Sequence, residues 1–350
     1  MRRAWAKGVG VVVLFGLGYL ACAPIDAEPA AWDPPAAQSL GEPSRAAVTL
    51  HLEGVGVGPE DVAVDTAGRV YTGYEDGRIV RYTPGGGSEV FASLPDGRPL
   101  GMEFDGAGNL VVADGRAGVV AVDEGGIVTT LLSEVEGVPL VFADDVDIAP
   151  DGTIWLSEAS TRWSVSDSTL DAIEGVPTGR LISFHPEHGE PTVHLRDLRY
   201  ANGVAVTADG QAVLVAETFG YRVTRLWIDG PKRGEVDLFV DALPGMPDNV
   251  QADENGQVWV ALIKERSGLL DALYPHPWLR KVMFRIPDAW LPVPPPIVWF
   301  AVYGPDGTPL DSYRADDGFG DVTSVTPHGA DLWLGSLSMD ALGHVPMPKL

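Results

Sequence analysis

The fold is decided by a segment that recurs along the chain, and its clearest copy reads Asn202-Gly-Val-Ala-Val-Thr-Ala-Asp-Gly-Gln-Ala-Val-Leu-Val215. Each copy has a polar first residue, an alternating apolar run, a turn with glycine and a second apolar run. Alternation predicts a β-strand, and glycine between two such runs predicts a hairpin. Further copies begin at Glu60, Asp144 and Asp248.

Six copies emerge when the chain is aligned on the turn glycines, which are Gly68, Gly108, Gly152, Gly210, Gly256 and Gly329. Other strand pairs lie between the copies, so each repeat holds about four short strands. A period of about 40–60 residues with four strands per unit predicts a β-propeller. The sequence therefore predicts an all-β, six-bladed propeller over residues 48–350. An unrelated array of β-sandwiches is the alternative. The strand Val48–Glu53 has no partner in its own repeat and is expected to complete the last blade.

Composition excludes two classes of function. The chain has 350 residues and a net charge of −25, so it offers little to neutralise nucleic-acid phosphates. The single cysteine, Cys22, rules out an intrachain disulfide and a cysteine-based zinc site. An acidic surface serves solubility, and some of its carboxylates are available to hold a cation.

Residues 1–23 read as a signal peptide or a short signal anchor. A basic leader precedes an uncharged run of 16 residues, Gly8 to Ala23, shorter than the roughly 20 residues that span a bilayer. Leu20-Ala21-Cys22 resembles a bacterial lipoprotein signal, in which Cys22 carries the lipid. We therefore expect export to the cell envelope (the periplasm in a bacterium) and membrane attachment through this segment. Lipoprotein, uncleaved anchor and soluble release remain alternatives. The Pro- and Ala-rich residues 24–47 are predicted to form a tether.

Two insertions interrupt the repeats, at Ala159–Glu174 in blade three and at Lys264–Lys281 in blade five. The second is predicted to be helical from about Gly268 to Tyr274. Both leave from equivalent blade corners, so they are expected to project from one face and roof it. A substrate lid, a membrane contact and plain packing onto the propeller are the three interpretations.

A ring of polar residues is expected at the propeller axis. The first strand of each blade lines the axis, so residues at one register meet there. Eight positions before each turn glycine stand Glu60, Leu100, Asp144, Asn202, Asp248 and, in blade six, Asp321 or Val322. Converging carboxylates are costly to bury without a cation, and oxygen ligands of this kind select calcium. The alternative is that these residues are solvated strand starts.

Three further residues are candidates for the same site. Asp145 and Asn249 follow two ring residues and are expected to ligate the metal or to orient a ligand. His328 is a candidate base if the blade-six hairpin reaches the pocket, and is otherwise an exposed residue near a turn. The sequence contains no Gly-x-Ser-x-Gly motif.

At these motifs the chain resembles the strictosidine synthase-like family, and within it the adipocyte plasma membrane-associated protein group. The resemblance covers about residues 50–337 and rests on stretches such as Gly97-Arg-Pro-Leu-Gly101, Phe142-Ala-Asp-Asp-Val146, Ala201-Asn202-Gly203 and Pro244-Gly-Met-Pro-Asp-Asn249. It implies a six-bladed propeller with an axial calcium, similar to those of regucalcin, gluconolactonase and paraoxonase.

The resemblance also implies roles for individual residues. Glu60, Asn202 and Asp248 fall on metal-ligand positions, whereas Asp144 stands where Asn is usual. The condensation catalysed by strictosidine synthase needs a late glutamate, and no Glu follows Glu265. The implied activity is therefore calcium-dependent hydrolysis of a small aryl ester or lactone, with Asp248 or His328 activating water or acting as nucleophile. A non-catalytic propeller that binds a ligand or protein, with structural calcium, is the alternative.

Overall fold

The computed structural model describes residues 23–286, 290, 295–315 and 318–349. The predicted signal or anchor segment therefore lies outside the described residues, apart from Ala23. None of the helices in the described ranges is long and apolar enough to cross a bilayer.

Six antiparallel sheets, each with four strands of the propeller, surround a common axis and confirm the predicted architecture. Blades one to three consist of Val62–Val64, Val70–Gly73, Arg78–Tyr82 and Ser88–Ser93; Pro99–Phe104, Leu110–Asp114, Gly118–Val122 and Val128–Leu132; and Ala143–Ile148, Ile154–Glu158, Gly179–His185 and His188–Leu198. Blades four to six consist of Ala201–Val206, Ala212–Glu217, Arg222–Trp227 and Val236–Val240; Gly245–Ala252, Val258–Glu265, Val298–Tyr303 and Pro309–Ala315; and Val322–His328, Asp331–Ser336, Leu342–Pro346 and Thr49–His51.

The N-terminal strand closes the ring, as predicted. Thr49–His51 pairs antiparallel with Leu342–Pro346, with Leu50 opposite Gly343, and so supplies the outer strand of blade six. The ring is therefore sealed by residues from both ends of the chain. A short strand just before it, Ser44–Arg45, adds to the outer edge of blade five in parallel orientation.

The core consists of layers of apolar side chains between neighbouring blades. Between blades five and six, Trp259, Phe300, Val325 and Leu334 form part of one buried cluster. Full burial of a large apolar side chain stabilises a fold by about 1.5–3 kcal/mol, so each interface contributes substantially. The alternation seen in the sequence thus serves two blade interfaces at once.

Glycine permits the close approach of first strands at the axis. A Cβ built at Gly203 would lie 2.4 Å from the Cα of Asn249 in the next blade. A Cβ at Gly101 would lie 1.9 Å from Oδ1 of Asp145. Both distances are shorter than any non-bonded contact, so these positions require glycine.

The two insertions form a roof of three short helices: α1 (Ser168–Glu174), α2 (Gly268–Leu273) and α3 (Pro277–Met283). The predicted helix at Gly268 is confirmed, and Ser267 caps it by accepting a hydrogen bond from the Leu270 N–H at 3.2 Å. Helix α3, which begins with Pro277 at its first position, was not predicted. The described residues also include a small hairpin (Glu134–Val135 with Val138–Pro139) and two 3₁₀ turns (Val165–Asp167 and Thr218–Gly220).

One buried arginine connects the insertions. The Arg280 guanidinium donates from Nη1 to the carbonyls of Ile173 at 3.2 Å and Glu174 at 2.5 Å, and from Nη2 to Tyr274 O at 3.1 Å. It also donates to the carbonyl of Ala30. The expected common roof is therefore observed, and the N-terminal segment is part of it.

Residues 24–47, predicted as a tether, lie against the roof and blade five. Trp32 donates its N–H to Tyr274 O at 3.2 Å, and its indole lies beneath the Arg199 guanidinium, 4.4 Å from the ring centre. Gln38 donates its N–H to Ala242 O at 2.8 Å. The segment therefore follows a defined path from the roof to the closing strand.

Candidate axial site

Strand pairing identifies the axial residue of each blade. The first strands align through the pairs Val62–Thr72, Met102–Val112, Val146–Leu156, Val204–Val215, Val250–Val260 and Val325–Leu334. Two positions earlier stand the residues that we call the axial ring: Glu60, Leu100, Asp144, Asn202, Asp248 and Thr323. All six are at most 5% exposed.

The blade-six member is Thr323, so the predictions of Asp321 and Val322 were wrong. The blade-six hairpin joins His328 to Asp331 through Gly329 and Ala330 alone, and its glycine is therefore not equivalent to the others. Asp321 lies two residues before the ring and accepts hydrogen bonds from Lys264 Nζ at 2.5 Å and Ser338 Oγ at 2.6 Å. The positive charge of Lys264 therefore compensates the negative charge of Asp321.

Three ring residues each leave one buried oxygen without a hydrogen-bond partner: Glu60 Oε2, Asp144 Oδ2 and Asn202 Oδ1. In two of these side chains, the other polar atom makes a hydrogen bond. Asn249 Nδ2 donates to Glu60 Oε1 at 3.0 Å, and Asn202 Nδ2 donates to Thr218 Oγ1 at 3.2 Å. Unpaired buried oxygens are costly, and an oxygen-ligated cation would satisfy them.

The electrostatics of the ring disfavour three bare carboxylates. Burial, reinforced by the neighbouring acids, raises the pKa of Glu60 and of Asp248 well above the usual range. Burial raises the pKa of Asp144 to about 8, opposed by the positive charge of Arg98. Arg98 is itself buried, and its Nη2 has no hydrogen-bond partner. The ring thus holds more negative charge than its surroundings compensate.

Within the described ranges, no three His, Cys, Asp or Glu side chains form a ready-made metal-binding group. The fit to a cation rests on the three unpaired oxygens, one of which belongs to the amide of Asn202. Carboxylate and amide oxygens together are a donor set that suits calcium.

The two residues predicted to support the ring differ in what they contact. Asn249 orients Glu60, as the hydrogen bond above indicates. The Asp145 carboxylate instead accepts the backbone N–H groups of Val204 at 2.7 Å and Val146 at 2.8 Å. Asp61 makes the equivalent bond to Met102 N at 2.9 Å. These aspartates join one blade to the next.

His328 does not belong to the site. It is exposed at the hairpin end of the first strand of blade six, five residues beyond Thr323. At about 3.3 Å per residue of strand, it lies roughly 16 Å from the ring along the axis. A base acting at the ring cannot reach from there, which corrects the prediction of a catalytic His328.

An aromatic layer separates the ring from the roof. Tyr200 meets Phe142 edge to face, with ring centroids 5.6 Å apart, and lies tilted against Phe219, with ring centroids 4.7 Å apart. Val165 of the blade-three insertion packs with this group and with Leu100 of the ring. The roof therefore covers the end of the channel that carries the ring. Tyr200 has a φ of +62°, an unusual backbone conformation for a bulky residue.

Sequence reasoning missed one acid near the ring. Asp171 lies in α1, is 3% exposed, and its Oδ2 has no hydrogen-bond partner. Burial, with a smaller contribution from the Glu174 charge, raises its pKa to about 7. It lines a small cleft together with Arg199, Phe219 and Tyr274. Asp171 lies in an irregular insertion, so no repeat could have identified it. Arg98, also missed as a site residue, lies within the Gly97–Gly101 motif.

Comparison with known proteins agrees with the fold and the resemblance. The model of the SMP-30/gluconolactonase/LRE-like region matches residues 71–270, and that of the strictosidine synthase-like N-terminal region matches residues 45–82. Among solved structures, a gluconolactonase from Xanthomonas campestris has a TM-score of 0.63 at 18% identity, covering 93% of this chain and 99% of that one. A calcium-binding regucalcin from Agrobacterium tumefaciens has a TM-score of 0.58 at 16% identity, covering 85% and 91%. These structures establish the fold.

Curated relatives define the family more closely. Protein strictosidine synthase-like 13 of Arabidopsis thaliana is 36% identical in an alignment 259 residues long, which covers 66% of this chain and 64% of that protein. Adipocyte plasma membrane-associated protein of Salmo salar is 32% identical in an alignment 320 residues long, which covers 84% of this chain and 76% of that protein. The chain belongs to the strictosidine synthase-like and adipocyte plasma membrane-associated protein-like family, within the SMP-30/gluconolactonase group of six-bladed propellers.

Proposed function

We propose that the chain is a calcium-dependent hydrolase of aryl esters or lactones, attached to a membrane by its N-terminal segment. The observation that carries this proposal is the set of three unpaired oxygens on Glu60, Asp144 and Asn202, buried at the axis beneath a roof. Membership of a group that includes gluconolactonase supports the reaction class. The name of the membrane-associated relative supports the attachment.

Glu60, Asp144, Asn202 and Asp248 would hold the calcium ion. Bound calcium would polarise the substrate carbonyl and stabilise the negative charge that develops on its oxygen. Asn249 keeps the free oxygen of Glu60 turned to the axis through its bond to Oε1. Thr218 does the same for Asn202.

Asp248 would accept the proton of the attacking water or act as the nucleophile. In the absence of a cation, burial and the nearby Asp144 charge raise its pKa. The aromatic layer of Phe142, Tyr200 and Phe219 would exclude bulk water and pack against an aryl or acyl group.

Turnover of a panel of aryl esters and lactones, with and without EDTA, tests the proposal. We expect EDTA-sensitive hydrolysis and a loss of about 10²-fold or more in Asp248→Ala, the size of effect typical of a lost proton-transfer group. Asp253→Asn is the matched control, because this buried turn aspartate accepts backbone N–H groups of its own hairpin and does not belong to the ring. Full turnover by Asp248→Ala would refute the proposal.

A second candidate is a non-catalytic propeller in which calcium is structural. The tight cover of the ring by the aromatic layer and roof favours it, since Asp144 and Asp248 are each only 5% exposed. In that case calcium would raise the melting temperature, whereas no ester or lactone of the panel would be hydrolysed. The EDTA experiment, run with both readouts, separates the two candidates.

A further inference from the structure

The outer surface of the roof carries large apolar side chains that no other part of the described chain covers. Trp278 in α3 is 67% exposed, and Leu269 in α2 is 56% exposed. The same helices turn Leu270 and Arg280 inward. Isolated exposed apolar residues are common, so these two side chains become informative only with a second observation.

That observation is the place where the N-terminal segment arrives. The first described residue, Ala23, accepts a hydrogen bond at its carbonyl from Arg285 Nε at 2.8 Å, just beyond the end of α3. Glu28 then pairs with Lys281 Nζ at 2.8 Å. The uncharged run of 16 residues ends at Ala23 itself. No linker therefore separates the predicted membrane segment from α3.

We propose that the outer face of the roof, centred on Trp278 and Leu269, rests on the lipid bilayer to which the N-terminal segment is attached. The proposal rests on the membrane attachment suggested above and adds an orientation. With the chain fixed at Ala23, α3 lies at the height of the membrane surface. Tryptophan is the side chain best suited to that interfacial zone.

This orientation has a consequence for the substrate class. The roof would lie between the bilayer and the axial ring, because Val165 of the blade-three insertion packs against the buried cluster that contains Leu100 of the ring. The site would then draw on lipophilic esters or lactones dissolved in the bilayer. The rest of the acidic propeller, in a chain of net charge −25, would face water, away from anionic lipid.

Fluorescence quenching by brominated lipid tests the orientation. The full chain is reconstituted in phosphatidylcholine vesicles with plain or brominated acyl chains, and the difference in emission between the wild type and Trp278→Phe isolates Trp278. We expect brominated chains to remove most of this difference signal. The control carries Val236→Trp in the Trp278→Phe background. Val236 is 51% exposed on the outer strand of blade four, and its new tryptophan is expected to stay unquenched.

Flotation of the same vesicles distinguishes the two ways of failing. A chain that floats with the vesicles but shows an unquenched Trp278 overturns the orientation and leaves membrane attachment intact. A dimer buried through Trp278 would give this result. A chain that does not float overturns attachment and the orientation with it. Neither outcome depends on whether the protein hydrolyses esters.

Discussion

Replacing Asp144 by asparagine tests how much this carboxylate lowers the stability of the calcium-free protein and how much it contributes to calcium binding. The family resemblance implies Asn at the position of Asp144, and the Oδ2 atom of Asp144 is buried without a hydrogen-bond partner. Burial raises its pKa from 3.8 to about 8. That rise corresponds to about 5 kcal/mol against the ionised form at pH 8. Asp144→Asn is therefore expected to stabilise the calcium-free protein at pH 8, by up to about 5 kcal/mol.

The direction of the pKa shift determines how the stability gained by Asp144→Asn depends on pH. A carboxyl group whose pKa is raised in the folded state binds its proton more tightly there than in the unfolded chain. Its contribution to stability is complete below about pH 4 and is lost as the pH rises towards about 8. The gain from Asp144→Asn should therefore be small at pH 4 and large at pH 8.

Urea unfolding in EDTA at the two pH values measures this difference, with Asp253→Asn expected to show no gain at pH 8. In calcium this gain should shrink, because the amide removes one ligand charge and the wild type then binds the ion more tightly than the variant does. We expect calcium affinity to fall by about 10- to 100-fold, the range found when groups around a metal are changed. Equal stability of wild type and Asp144→Asn in EDTA at pH 8 would refute the reasoning.

The remaining predictions concern the scaffold. Gly203→Ala would place a Cβ 2.4 Å from the Cα of Asn249, and should cost about 1–3 kcal/mol in urea unfolding. Leu50→Asp puts a charge on the closing strand, where Leu50 packs against the cluster between blades five and six. The melting temperature should therefore fall. An unchanged melting temperature would mean that ring closure does not need this contact. Arg280→Met should expose the roof to limited proteolysis, whereas Lys281→Met, which breaks only a partly exposed ion pair, should not.

The repeat was readable from sequence because its determinants are local. Period-two alternation and a turn glycine act within one hairpin, so five blades could be aligned by counting back from the glycine. The count failed in blade six, where the hairpin turns through Gly329 and Ala330 alone. Thr323, rather than Asp321, therefore reaches the axis, and His328 lies at the opposite end.

Contacts between distant parts of the chain escaped prediction for a different reason. Arg280 is charged and lies in α3, yet it is fully buried among carbonyls from α1 and the N-terminal segment. Asp171 becomes a candidate site residue only because the fold buries it close to the aromatic layer. Nothing in the neighbouring sequence of either residue encodes these partners, because the fold alone brings them together.

The charges of the side chains at the axis indicate how an Asp at position 144, where the family resemblance implies Asn, would affect calcium binding. Glu60, Asp144 and Asp248 contribute three negative charges when ionised, and Arg98, the cation that acts on Glu60 and Asp144, contributes one positive charge. Among these four side chains the balance is −2, which one divalent cation would neutralise. With Asn at position 144 the same ion would leave a net charge of +1 to act on a substrate carbonyl. Asp144 should therefore favour tight calcium binding at the expense of Lewis acidity, so Asp144→Asn should bind calcium more weakly and, if the chain is a hydrolase, turn over faster per bound ion.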